Sequence, residues 1–132
     1  MVNAMRTSGP RHGFTLVELL VVLAIIAILL TLATPRYFRS LDKSKEAVLR
    51  EDLSVMRDAL DKYYGDRGEY PDALSDLVTQ KYLRTIPQDP ITDSAATWVA
   101  VPPAEENIAG NVYDVKSGAP GKGIDGLPYK EW

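Results

Sequence analysis

The sequence predicts an α+β fold: a long N-terminal α-helix, apolar in its first half, packed through its second half on the small antiparallel β-sheet of a head. Three observations carry this. Residues 14–34 form an apolar run of 21 residues broken by one acid, Glu18. Leu49, Leu53, Met56, Leu60, Tyr63 and Tyr64 then recur at steps of three and four, the spacing of one helix face. Finally, residues 97–101 and 111–115 have the β-branched and aromatic content of short strands.

Composition narrows the function. A chain of 132 residues accommodates one small domain plus an anchor, not two cores. Net charge is −3, and beyond residue 13 there are 13 basic against 18 acidic residues, so nucleic acid is not an expected partner. There is no cysteine, and the single histidine is His12. Disulfides, thiol or Ser-His-Asp catalysis and the usual zinc sites therefore lack their residues, and no enzymatic role is expected.

Residues 1–13 carry Arg6, Arg11 and three Gly or Pro positions and read as a targeting leader, not a folded element. The following run, as a helix, would measure roughly 31 Å at about 1.5 Å per residue, enough to cross a bilayer core. It exceeds the h-region of a secretory signal, and Thr31-Leu32-Ala33 is a poor cleavage site. A rival remains: a soluble secreted or periplasmic binding module starting at Thr34. Glu18 is the costly feature, since an acid at the centre of a membrane helix costs on the order of 2.5–3.5 kcal/mol and asks for a partner or the interface.

Gly13-Phe14-Thr15-Leu16-Val17-Glu18 resembles the prepilin cleavage motif of type IV pilins and type II secretion pseudopilins. The resemblance implies cleavage after Gly13 by a membrane-embedded peptidase and N-methylation of Phe14. It further implies a salt bridge in the membrane between Glu18 and the methylated amine of a neighbouring subunit's Phe14, setting assembly register. A residue-level alternative is that Glu18 complements its own helix's N-terminal dipole, worth about 0.3–1 kcal/mol. Charge does not fix topology: Arg6 and Arg11 precede the run, but Arg36, Arg39, Lys43 and Lys45 follow it. The N-terminus-inside orientation is an implication of the resemblance. Pro35 deletes a helical hydrogen bond and opposes the carbonyl of Thr31, predicting a kink or local melting; the family reading is a point of give in the filament, the plain one a membrane-exit bend.

The domains expected are a leader (1–13), a transmembrane or filament-core helix (14–35) and a periplasmic head (36–132). Within the head, Leu41 and Val48 extend the apolar stripe loosely. Glu46 and Arg57 are assigned to other faces, and Gly65 and Gly68 end the helix. Asp72 is a candidate cap for a helix over residues 73–81, Pro87 and Pro90 stiffen a loop, and the tail 117–132 is ordered only if its aromatics dock. Gly121-Lys122-Gly123-Ile124-Asp125-Gly126 fits G-x-G-x-x-G, but no helix follows it, so it reads as a glycine-rich loop.

Gly68-Glu69-Tyr70-Pro71, Ile86-Pro87-Gln88-Asp89-Pro90 and Tyr113-Asp114-Val115, followed by a glycine-rich tail ending in Trp, resemble the G-type major pseudopilin and extend the likeness along the mature chain. This implies a type IV pilin-like fold and a single-pass inner-membrane subunit with its head in the periplasm. The subunit would polymerise into a pseudopilus driving type II protein secretion. Its implied partners are copies of itself, minor pseudopilins, the prepilin peptidase, an assembly platform membrane protein, indirectly an assembly ATPase, and membrane lipid before assembly. The rival within the class is a type IV pilin for adhesion, motility or DNA uptake. No organic cofactor is implied. G-type pseudopilins often bind calcium in the C-terminal loop, for which Asp125, Asp114 and Ser117 are the candidates; the alternative is a loop held by Tyr129 and Trp132.

Overall fold

A computed structural model describes residues 13–132; the expected leader, with Arg6, Arg11 and His12, lies outside the described residues except for Gly13. The described chain divides into two compact units between Phe38 and Arg39. Helix α1, Leu16–Arg67, contributes residues to both.

In the first unit the helix begins at Leu16, two residues later than the apolar pattern predicts. Thr15 is the reason: its Oγ1 accepts the Glu18 N–H at 3.1 Å and its carbonyl accepts the Leu19 N–H, so it caps the helix and Phe14 stays outside. The helix runs through Pro35 without interruption, so of the kink or local melting expected there, melting is not seen in the single chain. Around the proline, Thr31 and Thr34 donate their hydroxyls to the carbonyls of Ala27 and Leu30, keeping polar atoms paired on the helix itself. The most apolar stretch of α1 reaches a mean hydropathy of 3.0 and none of it is buried.

In the second unit the α1 stripe forms the core. Leu49, Leu53, Met56, Ala59, Leu60 and Tyr63 are buried together with Leu77, Trp98, Val112, Val115, Ala119 and Tyr129. Leu41 and Val48 are exposed, contrary to their assignment to the stripe; the position three residues before Leu49 is Glu46, and it is buried. Tyr64 is also partly exposed, because the face is already filled by Leu60 and Tyr63. Gly65 does not stop the helix. Gly68 does, with φ +72° and its N–H on the Tyr64 carbonyl, a left-handed closure that glycine adopts without steric cost.

Helix α2 is only Ser75–Thr79, shorter than expected, and Asp72 does not cap it. Instead Asp76 accepts the Ala73 N–H through its carboxylate, and Lys81 at φ 66° ends the unit. Strands β1, Trp98–Val101, and β2, Asp114–Ser117, pair antiparallel, Trp98 opposite Ser117 and Val101 opposite Asp114. The second strand thus lies three residues later than its pattern predicts. The N–H groups of Asn111 and Val112 are instead taken by the Pro71 carbonyl, and the Tyr113 N–H donates to the Val101 carbonyl. That crossing requires Gly110: a Cβ there would lie 2.1 Å from the Tyr70 carbonyl oxygen.

Asp89 of the proline-rich loop is buried, accepting the Ser117 hydroxyl at 2.5 Å and the Ile91 N–H at 2.8 Å. This charge bears on Asp52 of α1. Burial first, then the Asp89 and Glu51 carboxylates, push the Asp52 acid above its ordinary range. The fold therefore favours protonated Asp52, and ionisation above the unfolded value of 3.8 works against folding. Asp52→Asn is expected to raise the melting temperature at pH 7, with the gain shrinking as pH falls through the native pKa; thermal unfolding at both ends of that window checks it.

Candidate assembly and processing site

Gly13, Phe14 and Thr15 form a stretch without regular structure in front of the helix. Gly13 has no heavy atom within 4 Å of where a Cβ would stand, and Phe14 is 81% exposed. A peptidase needs its substrate backbone accessible, and among the described residues Gly13 and Phe14 are exposed and outside regular structure. Four residues after Phe14, Glu18 stands in the first helical turn. Its own N–H is satisfied by Thr15, and among the described residues its carboxylate accepts no hydrogen bond and joins no ion pair. In Thr15-Leu16-Val17-Glu18 the threonine therefore does the capping, and among the described residues the carboxylate of Glu18 is left without a partner. The T-x-x-E spacing of a capping box is the sequence signal for Thr15. Pro35, the other assembly candidate, lies within α1 and withdraws a backbone donor only from the Thr31 carbonyl.

The calcium candidates are each engaged separately. Asp114 accepts Arg57 Nε at 2.9 Å and the Val115 N–H, Ser117 donates to Asp89, and Asp125 accepts the Leu127 N–H and pairs loosely with Arg50 at 3.5 Å. Among the described residues no group of three or more Asp, Glu, His or Cys side chains is arranged to hold a metal ion. A hard cation asking for six to eight oxygens does not fit these three as they stand. Calcium up to millimolar concentration is expected to leave the melting temperature of the protein unchanged, which a titration followed by thermal unfolding measures.

The tail is held by protein groups. Glu46 Oε1 accepts the Ile124 N–H at 2.8 Å and the Tyr129 hydroxyl at 3.0 Å. Tyr129 meets Trp132 edge-on at 5.2 Å, and the Arg50 guanidinium lies over the Trp132 ring at 4.2 Å. Arg57 completes the closure, donating to Asp114, to the Val115 carbonyl and, at 2.6 Å, to Trp132 O. Glu46 and Arg57 thus face the head, which corrects their assignment to other faces of α1. For Glu46 the signal is present in the sequence, since 46, 49, 53, 56, 60 and 63 follow one helical period; a charged residue on an apolar face simply carries no hydrophobic signal of its own.

Comparison with known proteins finds relatives for the motif and for the chain. Residues 9–34 match the family model described as the prokaryotic N-terminal methylation motif. The type II secretion system core protein G of Escherichia coli K12 is 29% identical across 88% of this chain and 86% of its own length. That of Klebsiella michiganensis is 33% identical across 65% of this chain and 71% of its own length. The type IV major pilin protein PilA of Myxococcus xanthus is 33% identical, but over 55% of this chain and 34% of its own length. No solved structure matches. With the motif at its N-terminus and core protein G relatives along most of their length, the chain belongs to the type II secretion core protein G family, the major pseudopilins of the type IV pilin superfamily.

Proposed function

We propose that this chain is a non-enzymatic structural subunit, cut after Gly13, methylated on Phe14, and held by its apolar helix as a single-pass inner-membrane protein with the head in the periplasm. From there it polymerises into a pseudopilus that drives type II secretion. The observation that carries the reading is the pairing of an accessible Gly13-Phe14 bond with a wholly exposed apolar first half of α1 whose one acid, Glu18, lacks a partner among the described residues. Lipid solvates such a helix in the monomer, and neighbouring copies would cover it in a filament. In that setting Glu18 takes the Phe14 amine of the next copy, removing two charges from hydrocarbon together. Pro35 is the point of give in the helix, because the ladder there already lacks one hydrogen bond.

The further partners of this reading are the prepilin peptidase, the assembly platform protein, the minor pseudopilins and, indirectly, an assembly ATPase. Mass spectrometry of the membrane-extracted chain tests the processing directly. An N-terminal methyl-Phe14 is expected, whereas a chain beginning at Thr34 would sink the reading in favour of a released soluble module. The PilA relative supports a second reading, a type IV pilin. Arrested protein export on deletion supports the pseudopilus; normal export with loss of long surface filaments supports the pilin.

A further inference from the structure

Three tyrosines of the head pack on one another at the surface and not in the core. Tyr64 stacks on Tyr70 at 4.5 Å, and Tyr70 meets Tyr113 edge-on at 5.3 Å. Tyr64 is nevertheless 39% and Tyr113 51% exposed. Acidic residues accompany them along the chain. Asp61 stands about one helical turn before Tyr64, close enough to Tyr70 to act on its hydroxyl. Glu69 and Asp72 flank Tyr70 in sequence, and the exposed Glu105 and Glu106 belong to the loop that the Tyr70 N–H ties down at Ala109.

The matching chemistry lies elsewhere in the same sequence. Arg39 and Lys43 are four residues apart, hence on one face of α1, both exposed and, among the described residues, in no ion pair. The charge is divided accordingly: residues 39–45 carry three basic residues and one acid, residues 46–132 nine basic against sixteen acidic. The chain cannot satisfy its own match, since Lys43 and Tyr64 are separated by about 30 Å at roughly 1.5 Å per helical residue. A second copy displaced by that distance along the helix axis can.

We propose that the Tyr64-Tyr70-Tyr113 platform with its accompanying acidic residues is the docking site for the Arg39–Lys43 face of another copy of this chain. The guanidinium and ammonium groups lie over tyrosine faces and pair with the carboxylates, each cation-π contact being strengthened as water is excluded. The proposal rests on the filament reading and adds a contact between heads and helices to it.

The natural chain has no cysteine, so introduced pairs report cleanly. Lys43→Cys and Tyr113→Cys chains, co-expressed and oxidised in the membrane, are expected to give a disulfide-linked heterodimer at least fivefold above Lys43→Cys with Thr85→Cys. Charge reversal at Asp61 and Glu69 to Lys should lower that yield, and Arg39→Glu with Lys43→Glu on the opposing chain, cysteines then at Ser40 and Tyr113, should restore it. Filaments are scored separately by sedimentation and electron microscopy. Filaments without the cross-link overturn the docking site and leave the filament reading standing; no filaments from the unaltered chain overturn both. If reversal at Arg39 and Lys43 leaves the cross-link intact and only releases the chain from phosphatidylglycerol vesicles, the cations serve lipid and the docking site is wrong.

Discussion

Glu18→Ala is expected to yield a chain that is cut, methylated and inserted as before, yet forms no filaments detectable by sedimentation or electron microscopy. The substitution makes the helix more apolar, so insertion cannot suffer from it. What changes is the neighbour: an ammonium entering the filament core would have no carboxylate. Stranding one member of a buried ion pair costs about 3–5 kcal/mol, roughly a factor of a hundred or more in each association equilibrium, and a polymer repeats that penalty at every subunit. Glu18→Gln should fail nearly as completely, because an amide lacks the charge. Thr15→Ala separates this from capping. It removes the hydroxyl bonded to the Glu18 N–H and leaves the acid, so filaments should persist. Normal filaments from Glu18→Ala would refute the assembly role.

Glu46→Ala is expected to be among the most damaging single changes in the head. It strands the buried Tyr129 hydroxyl, at about 1–3 kcal/mol, and leaves the part-buried Ile124 N–H without its acceptor. For a domain of this size the melting temperature should fall by roughly 10–20 °C, and the tail around Gly123 should become accessible to protease. Glu46→Gln keeps an acceptor oxygen and should cost less. Tyr129→Phe should cost about 1 kcal/mol, since the carboxylate retains the Ile124 N–H.

The same clasp sets an alkaline limit. Burial, then the hydrogen bond to Glu46 and its charge, raise the Tyr129 phenol from 10.0 to about 12. The unfolded chain therefore releases this proton at lower pH than the folded one, and the stability that the neutral phenol contributes is lost as pH rises from about 10 towards 12. The step should vanish in Tyr129→Phe, as alkaline unfolding curves would register.

Much of the molecule is legible in order along the chain. The helix, its apolar first half, the Leu49 to Tyr63 stripe and the existence of two strands all follow from periodicity and composition, because burial of apolar area is local in sequence and additive along a face. So is the candidate processing site, where Gly13, Phe14 and Glu18 are features of one short segment.

Sequence patterns fail where a polar group's value depends on what lies across the fold. Glu46 looks like surface charge until Ile124 and Tyr129 stand opposite it, 78 and 83 residues away. Strand β2 slides by three residues because Pro71 competes for the Asn111 and Val112 N–H groups. Asp114, Ser117 and Asp125 look like a set of oxygen ligands, yet Arg57, Asp89 and Leu127 divide them. The sequence alone determined which surfaces are apolar and where the chain presents its Gly13-Phe14 bond and lone acid. Only the tertiary structure decided how buried polar groups are paired, since a hydrogen bond needs its partner within about 3 Å at a defined angle, and no linear spacing encodes that distance.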